Sequence, residues 1–181
     1  MYLFRMSFYS DNNMGAGERP IASEIKAILA ACSRYTLASG ITGALVFNER
    51  YFVQVMEGER SLLSRTVWSI ASDARQKNMV LLSAAPINER LFLGWSVGYA
   101  GHSEQADALY LRHAIMGALD PSRMTAESVE NLVAEFVTGE NPFVISSRHA
   151  AAAPPPKPAP RAGETIKVRP APPSPRVPTT G

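Results

Sequence analysis

The chain has one cysteine, three histidines and no long apolar run. With Cys32 alone, no intrachain disulfide can form, and a reducing, cytoplasmic setting is expected. His102, His113 and His149 have no metal-like spacing to one another or to Cys32. No His-Glu-x-x-His, Cys-x-x-Cys or phosphate-cradling glycine loop occurs, so no metal site is expected. Ser33 and Ser96 have no base nearby, which leaves a hydrolase without a nucleophile pair; no catalytic residue stands out and enzymatic activity is not expected. No segment approaches the roughly 20 apolar residues of a membrane span, and the first residues show no basic leader before an apolar core. Neither a membrane segment nor a signal peptide is expected. Net charge is only +2, and it is split. Lys157, Arg161, Lys167, Arg169 and Arg176 face one acid, Glu164, in residues 151–181, leaving the first 150 residues mildly acidic. That balance argues against a nucleic-acid partner.

What the chain does have is a hairpin signal between Gly40 and Gly58. Two β-rich runs, Thr42–Phe47 and Tyr51–Met56, flank the polar turn Asn48-Glu49-Arg50. In the second run Tyr51, Val53 and Val55 share one face, and Phe52, Gln54 and Met56 the other. Gln54 therefore stands between two large apolar side chains on a face that should be buried. Without hydrogen-bond partners for its amide it would cost about 1–3 kcal/mol. Either the core satisfies it or a ligand does.

Around the hairpin, residues 2–10 alternate as a first strand, with Phe8 and Tyr9 on opposite faces. A helix is predicted from about Pro20–Ser23 to Tyr35, with Ile21, Ile25, Ile28, Leu29 and Cys32 on one stripe. A second runs from Ser61 to Gln76 and buries Leu62, Leu63, Thr66, Val67 and Ile70. Met79–Ala85 and Trp95–Ala100 read as strands. The order is that of an α+β, ferredoxin-like βαββαββ sheet with two helices on one face. Two more helices, Glu104–Met116 and Thr125–Val137, either cover the open face of the sheet or form a homodimer contact. The expected organisation is a domain over 1–102, a helical pair over 103–148 and a tail over 149–181. Ten prolines and scattered basic residues make that tail a disordered, partly polyproline-II segment.

Several motifs, in order and spacing, resemble the BLUF family, bacterial blue-light sensors that use FAD. They are Arg5-Met6-Ser7-Phe8-Tyr9-Ser10, Gly40-Ile41-Thr42-Gly43-Ala44-Leu45 and Phe52-Val53-Gln54-Val55-Met56-Glu57-Gly58. Ile70 with Asp73-Ala74-Arg75, and Arg90-Leu91-Phe92 followed by Trp95-Ser96, complete the set. The resemblance covers residues 2 to about 100. It implies a ferredoxin-like fold with FAD held between the two helices and the sheet, and a signal passed on by contact with another protein. In the family a first-strand tyrosine donates an electron and a proton to the excited flavin. A third-strand glutamine, matched here by Gln54, then rearranges its hydrogen bonds to the flavin.

Two departures follow. The tyrosine position falls on Phe8, which has no hydroxyl, and Tyr9 points to the other face unless a bulge intervenes. The family asparagine at the end of the first helix falls on Thr36, which keeps one hydroxyl but lacks the two-ended amide. Lesser departures are Gln76, where the family often has His, and Val97, where it often has Met. The resemblance makes Gln54, Thr36, Phe8, Ile28, Phe52, Ile70, Asp73, Arg75 and Trp95 the candidate FAD-contacting residues. The plainer reading keeps Phe52, Ile28, Ile70 and Trp95 as core and Asp73 and Arg75 as a solvated helix end. Two functions stand side by side: a BLUF-like FAD sensor with lost or altered photochemistry, and a flavin-free interaction or dimerisation module.

Overall fold

Burial on both faces of its central strands dictates this architecture. Strand β3 (Tyr51–Glu59) is buried at every position from Phe52 to Gly58, and β2 (Thr42–Phe47) throughout. Since successive side chains alternate faces, such strands need cover above and below. The computed structural model describes residues 2–14, 20–113, 117–139 and 144–147, with only the backbone of 21, 24 and 35–38. The predicted tail and Ile115 lie outside the described residues. Strands β1 (Leu3–Asn12), β4 (Gln76–Pro86), β5 (Trp95–Tyr99) and β6 (Val144–Ser147) complete a six-stranded sheet ordered β4-β1-β3-β2-β5-β6. Only β2 and β5 pair in parallel; the other neighbours are antiparallel.

Helices α1 (Ile21–Ser39) and α2 (Arg60–Ala71) cover one face. α1 lies over β5 and β6, and α2 over β1, β3 and β4. Ile25, Ile28 and Cys32 from α1 and Leu63 from α2 pack with Phe8, Leu45, Phe52, Met56 and Trp95 from the sheet. Because the helices straddle the sheet, the ground between them lies above β2 and β3. Helices α3 (Glu104–Arg112) and α4 (Ala126–Thr138) cover the opposite face, packing on Val46, Val53 and Val55. Both helices thus lie over the face of the sheet left free by α1 and α2. α4 starts where Thr125 Oγ1 accepts the Ser128 N–H at 3.2 Å. It buries Val129, Leu132, Val133 and Phe136, each contributing about 1.5–3 kcal/mol.

Several boundaries differ from expectation. α2 stops at Ala71, not Gln76, because the Asp73 carboxylate accepts the Arg75 N–H at 2.9 Å and turns the chain. Asn13 fixes that turn from outside, its N–H donating to Arg75 O at 2.8 Å and its Nδ2 to Ala74 O at 2.9 Å. β4 consequently begins at Gln76, three residues before Met79. Asn78 lies within the strand in the left-handed region at φ 51°. α1 continues past Tyr35 to Ser39, α3 ends at Arg112, and β6 adds an unforeseen strand beside β5. No described helix is long and apolar enough to cross a membrane.

Candidate functional site

Between α1, α2 and the sheet lies a cavity of about 120 Å³. Ile28 and Cys32 of α1 and Ile70 of α2 form its roof, and Leu45 and Phe52 its floor. Trp95 closes one side, and Asp73, Arg75 and Gln76, where α2 gives way to β4, form a polar rim. Gln54 is the polar residue of the floor and is 2% exposed. Its Nε2 donates to Gln76 Oε1 at 3.0 Å, and Ser10 Oγ donates to the same oxygen at 3.0 Å. Gln54 Oε1 has no donor among the described residues. It opens on the cavity, since no described side-chain polar atom is sealed without a partner.

The candidate residues sort plainly. Gln54, Ile28, Phe52, Ile70, Asp73, Arg75 and Trp95 come together on the cavity. Phe8 is fully buried and belongs to the same apolar cluster, directly across from Gln54 in the β1–β3 register, but does not line the cavity. Thr36 lies on α1, and its side chain is outside the described atoms. Tyr9 packs against the opposite core and stacks edge-on with Tyr51, at 6.0 Å between ring centres. β1 pairs with β3 without interruption from Leu3 to Asp11, and the irregularities of this region fall on β4, so Tyr9 stays on the α3–α4 side. Trp95 is almost completely buried, and its Nε1–H donates to Ile41 O at 3.0 Å.

Charge is confined to the rim. Arg75 Nε and Nη2 donate to Asp73 at 2.9 and 2.5 Å, and this pairing holds the Asp73 carboxyl below its usual range. Cys32, on the roof, has its thiol pushed up to about 12 by burial, so it stays neutral and weakly nucleophilic at ordinary pH. No three described His, Cys, Asp or Glu side chains group to hold a metal.

Three polar positions were given no place in the site by the sequence. Gln76 was noted only as standing where the family often has His and was assigned to a helix end, yet it reaches the cavity from the first position of a strand. Ser10 was noted only within its motif, although its place two residues from Phe8 puts it on the same face. On the opposite face Glu57 is fully buried and ties three segments together. Its carboxylate accepts Arg5 Nε at 2.8 Å, Leu91 N–H at 3.0 Å and Phe92 N–H at 3.1 Å, and pairs with Arg5 Nη2 at 2.7 Å. Arg5 also lies 3.5 Å from Glu130 of α4, which accepts from Ser7 Oγ at 2.9 Å. Arg90 donates to Thr42 Oγ1, Glu57 O and Gly40 O at 2.6–2.9 Å. The segment from Ile87 to Gly94, which delivers Trp95 to the cavity, is thereby held to β2 and β3. The signal was available: Glu57 continues the alternation of Val53 and Val55, and Arg5 stands opposite it in register.

The family model for BLUF, described as sensors of blue-light using FAD, matches residues 3–98. The chain belongs to the BLUF family. No curated protein is significantly similar in sequence. Among solved structures, BlsA in its photo-activated state is 22% identical, with a TM-score of 0.65 over 77% of this chain and 97% of that one. The dark-state structure of BlrB, a BLUF protein, is 24% identical, with a TM-score of 0.57 over 74% of this chain and 96% of its own. The Klebsiella pneumoniae BlrP1 calcium/cy-diGMP complex is 26% identical, with a TM-score of 0.51 over 75% of this chain and 34% of that one. The mixed sheet with helices on both faces is therefore the BLUF, ferredoxin-like fold, and the chain is a BLUF-like sensory module.

Proposed function

We propose that this module holds FAD between α1 and α2 and passes its state to a partner protein by contact, without the tyrosine-dependent light-induced red shift. The observation that carries this reading is the cavity itself. An apolar floor and roof meet a single buried amide whose Oε1 faces inward, with an arginine at the rim. The donor set fits a flavin in kind. Ile28, Leu45, Phe52, Ile70 and Trp95 would flank a flat ring and Gln54 would meet its polar edge, while Arg75 at the rim is engaged by the Asp73 carboxylate. In size the cavity, about 120 Å³, is below the roughly 300–1,000 Å³ usual for such ligands, so loading requires α1 and α2 to move apart. Bound FAD supplies visible absorption and an excited state that accepts an electron. The chain's own contribution is to bury the ring, orient Gln54 against it and exclude water.

Phe8 limits the photochemistry. It is fully buried beside Gln54 and offers neither a proton nor a hydrogen bond. Tyr9, on the far side of the sheet, does not reach the site.

A second reading, the flavin-free interaction module, draws support from one bond. Gln54 Nε2 is already satisfied by Gln76 without any ligand. One preparation separates the two. Full-length protein produced with excess FAD should purify yellow, with resolved flavin bands, and should show no reversible red shift under blue light. A colourless product that rejects added FAD would favour the interaction module. A reversible red shift in the unaltered chain would refute the assignment to Phe8.

A further inference from the structure

The polar rim contains an arrangement that flavin binding alone does not require. Gln76 Oε1 accepts two hydrogen bonds at once, from Gln54 Nε2 and from Ser10 Oγ, both at 3.0 Å. An amide carbonyl has two lone pairs, and here both are engaged. Ser10 is fully buried on β1, two residues beyond Phe8 and on the same face. Gln54 lies on β3 and Gln76 on β4, so the three side chains span the β3, β1 and β4 strands in their spatial order.

We propose that Gln76, backed by Ser10, is the positioning residue that sets which end of the Gln54 amide faces the cavity. It thereby fills the role left open by the missing hydroxyl at position 8. With Gln76 Oε1 turned toward Gln54, the Gln54 NH₂ is drawn to β4 and its Oε1 is left to the cavity. The reverse arrangement is also chemically complete. If Gln76 turned end for end, its NH₂ would meet Ser10 Oγ, which can accept as well as donate, and would require Gln54 to present Oε1. Mixed arrangements set two NH₂ groups or two carbonyls face to face in an apolar surround, which is the costly case. The two glutamines therefore turn together, with the serine hydroxyl rotating to match. A change of Gln54 at the cavity floor is registered on β4 and β1 by the same three groups.

The flavin-facing half of this inference rests on the proposed FAD binding, but the amide geometry does not. The test uses full-length ¹⁵N-labelled protein, without and with FAD, and the variants Gln76→Leu, Gln76→Glu and Ser10→Ala. Glutamate keeps the acceptor and leucine removes it. In the absence of FAD the Gln54 side-chain NH₂ protons should exchange with solvent several-fold faster in Gln76→Leu. They should remain slow in Gln76→Glu and fall between the two in Ser10→Ala. Gln54 NH₂ resonances and exchange unchanged in a folded Gln76→Leu protein would overturn the proposal. So would an unchanged Ser10→Ala protein, should the leucine variant fail to fold. With FAD bound, the long-wavelength flavin band should move in Gln76→Leu and return in Gln76→Glu; an unmoved band would overturn the positioning role. If the unaltered protein rejects FAD, the flavin reading fails by itself and the amide resonances still decide this one.

Discussion

Glu57 is the residue whose loss should cost the fold most for a single polar change. Its carboxylate is fully buried and meets four donors, two from Arg5 and the N–H groups of Leu91 and Phe92. Replacement by leucine removes the anion and leaves the Arg5 guanidinium, itself only 16% exposed, with the longer contact to Glu130. Breaking a buried pair from one side costs about 3–5 kcal/mol, and each orphaned backbone donor adds roughly 1 kcal/mol or more. A Glu57→Leu loss of about 5–7 kcal/mol is therefore expected, a large fraction of the roughly 5–15 kcal/mol available to a domain. Glu57→Gln keeps an acceptor for Leu91 and Phe92 and should lose only about 2–3 kcal/mol. Urea unfolding followed by circular dichroism measures both. The two tryptophans add a local readout, since Trp68 is 72% exposed and Trp95 only 1%. Loosening the segment from Ile87 to Gly94 should let acrylamide quench Trp95 in the glutamine variant before global unfolding. A leucine variant within 0.5 kcal/mol of the parent would refute the reasoning, as would a glutamine variant whose Trp95 stays shielded.

Three further outcomes are expected. Phe8→Tyr places a hydroxyl beside Gln54; if Oε1 accepts it, stability should change by no more than about 1 kcal/mol and FAD-loaded protein should gain a red shift, whereas an unmet hydroxyl would cost about 1–3 kcal/mol. Differential scanning calorimetry and illuminated absorption spectra distinguish these cases. Gly43→Ala should destabilise by roughly 1–3 kcal/mol in urea titration, because a Cβ there would strike the Val55 carbonyl oxygen, a backbone atom of β3 that cannot step aside. Cys32 should resist iodoacetamide at pH 8.5 until urea unfolds the chain. Its folded value near 12 lies above the unfolded value near 9, so stability is fully present below pH 9 and is lost as pH rises toward 12. Equal alkylation of folded and unfolded protein would contradict its burial.

The hairpin and α4 were legible because their burial follows a simple period. Thr42–Phe47 and the start at Tyr51 hold to the residue, and the four apolar positions of α4 are all buried. The polar rim of the cavity was not legible. Asp73-Ala74-Arg75 is compatible with a continuing helix in composition. What ends the helix is an Asp73–Arg75 turn secured by Asn13, some 60 residues away in sequence. Misplacing that end hid Gln76, since a residue on an exposed helix end and one opening a strand point to different surroundings. Glu57 was passed over for the opposite reason. It obeys the strand alternation, but a charged residue on a buried face is credible only once Arg5 is known to stand across from it.

The irregularity of β4 has a consequence for behaviour at high concentration. β4 is an outer strand of eleven residues carrying Val80 and Leu81 at 40% and 55% exposure, the profile of a surface that recruits foreign strands. Against β1 it twice supplies one residue too many, between Ser7 and Phe8 and between Tyr9 and Asp11. Asn78 turns left-handed within the second of these, and Pro86 closes the strand. A neighbouring molecule would find no uninterrupted ladder of donors and acceptors to match. The kinks beside the cavity thus double as protection against fibre growth, and a variant that straightened β4 would put solubility at risk along with the geometry around Gln76.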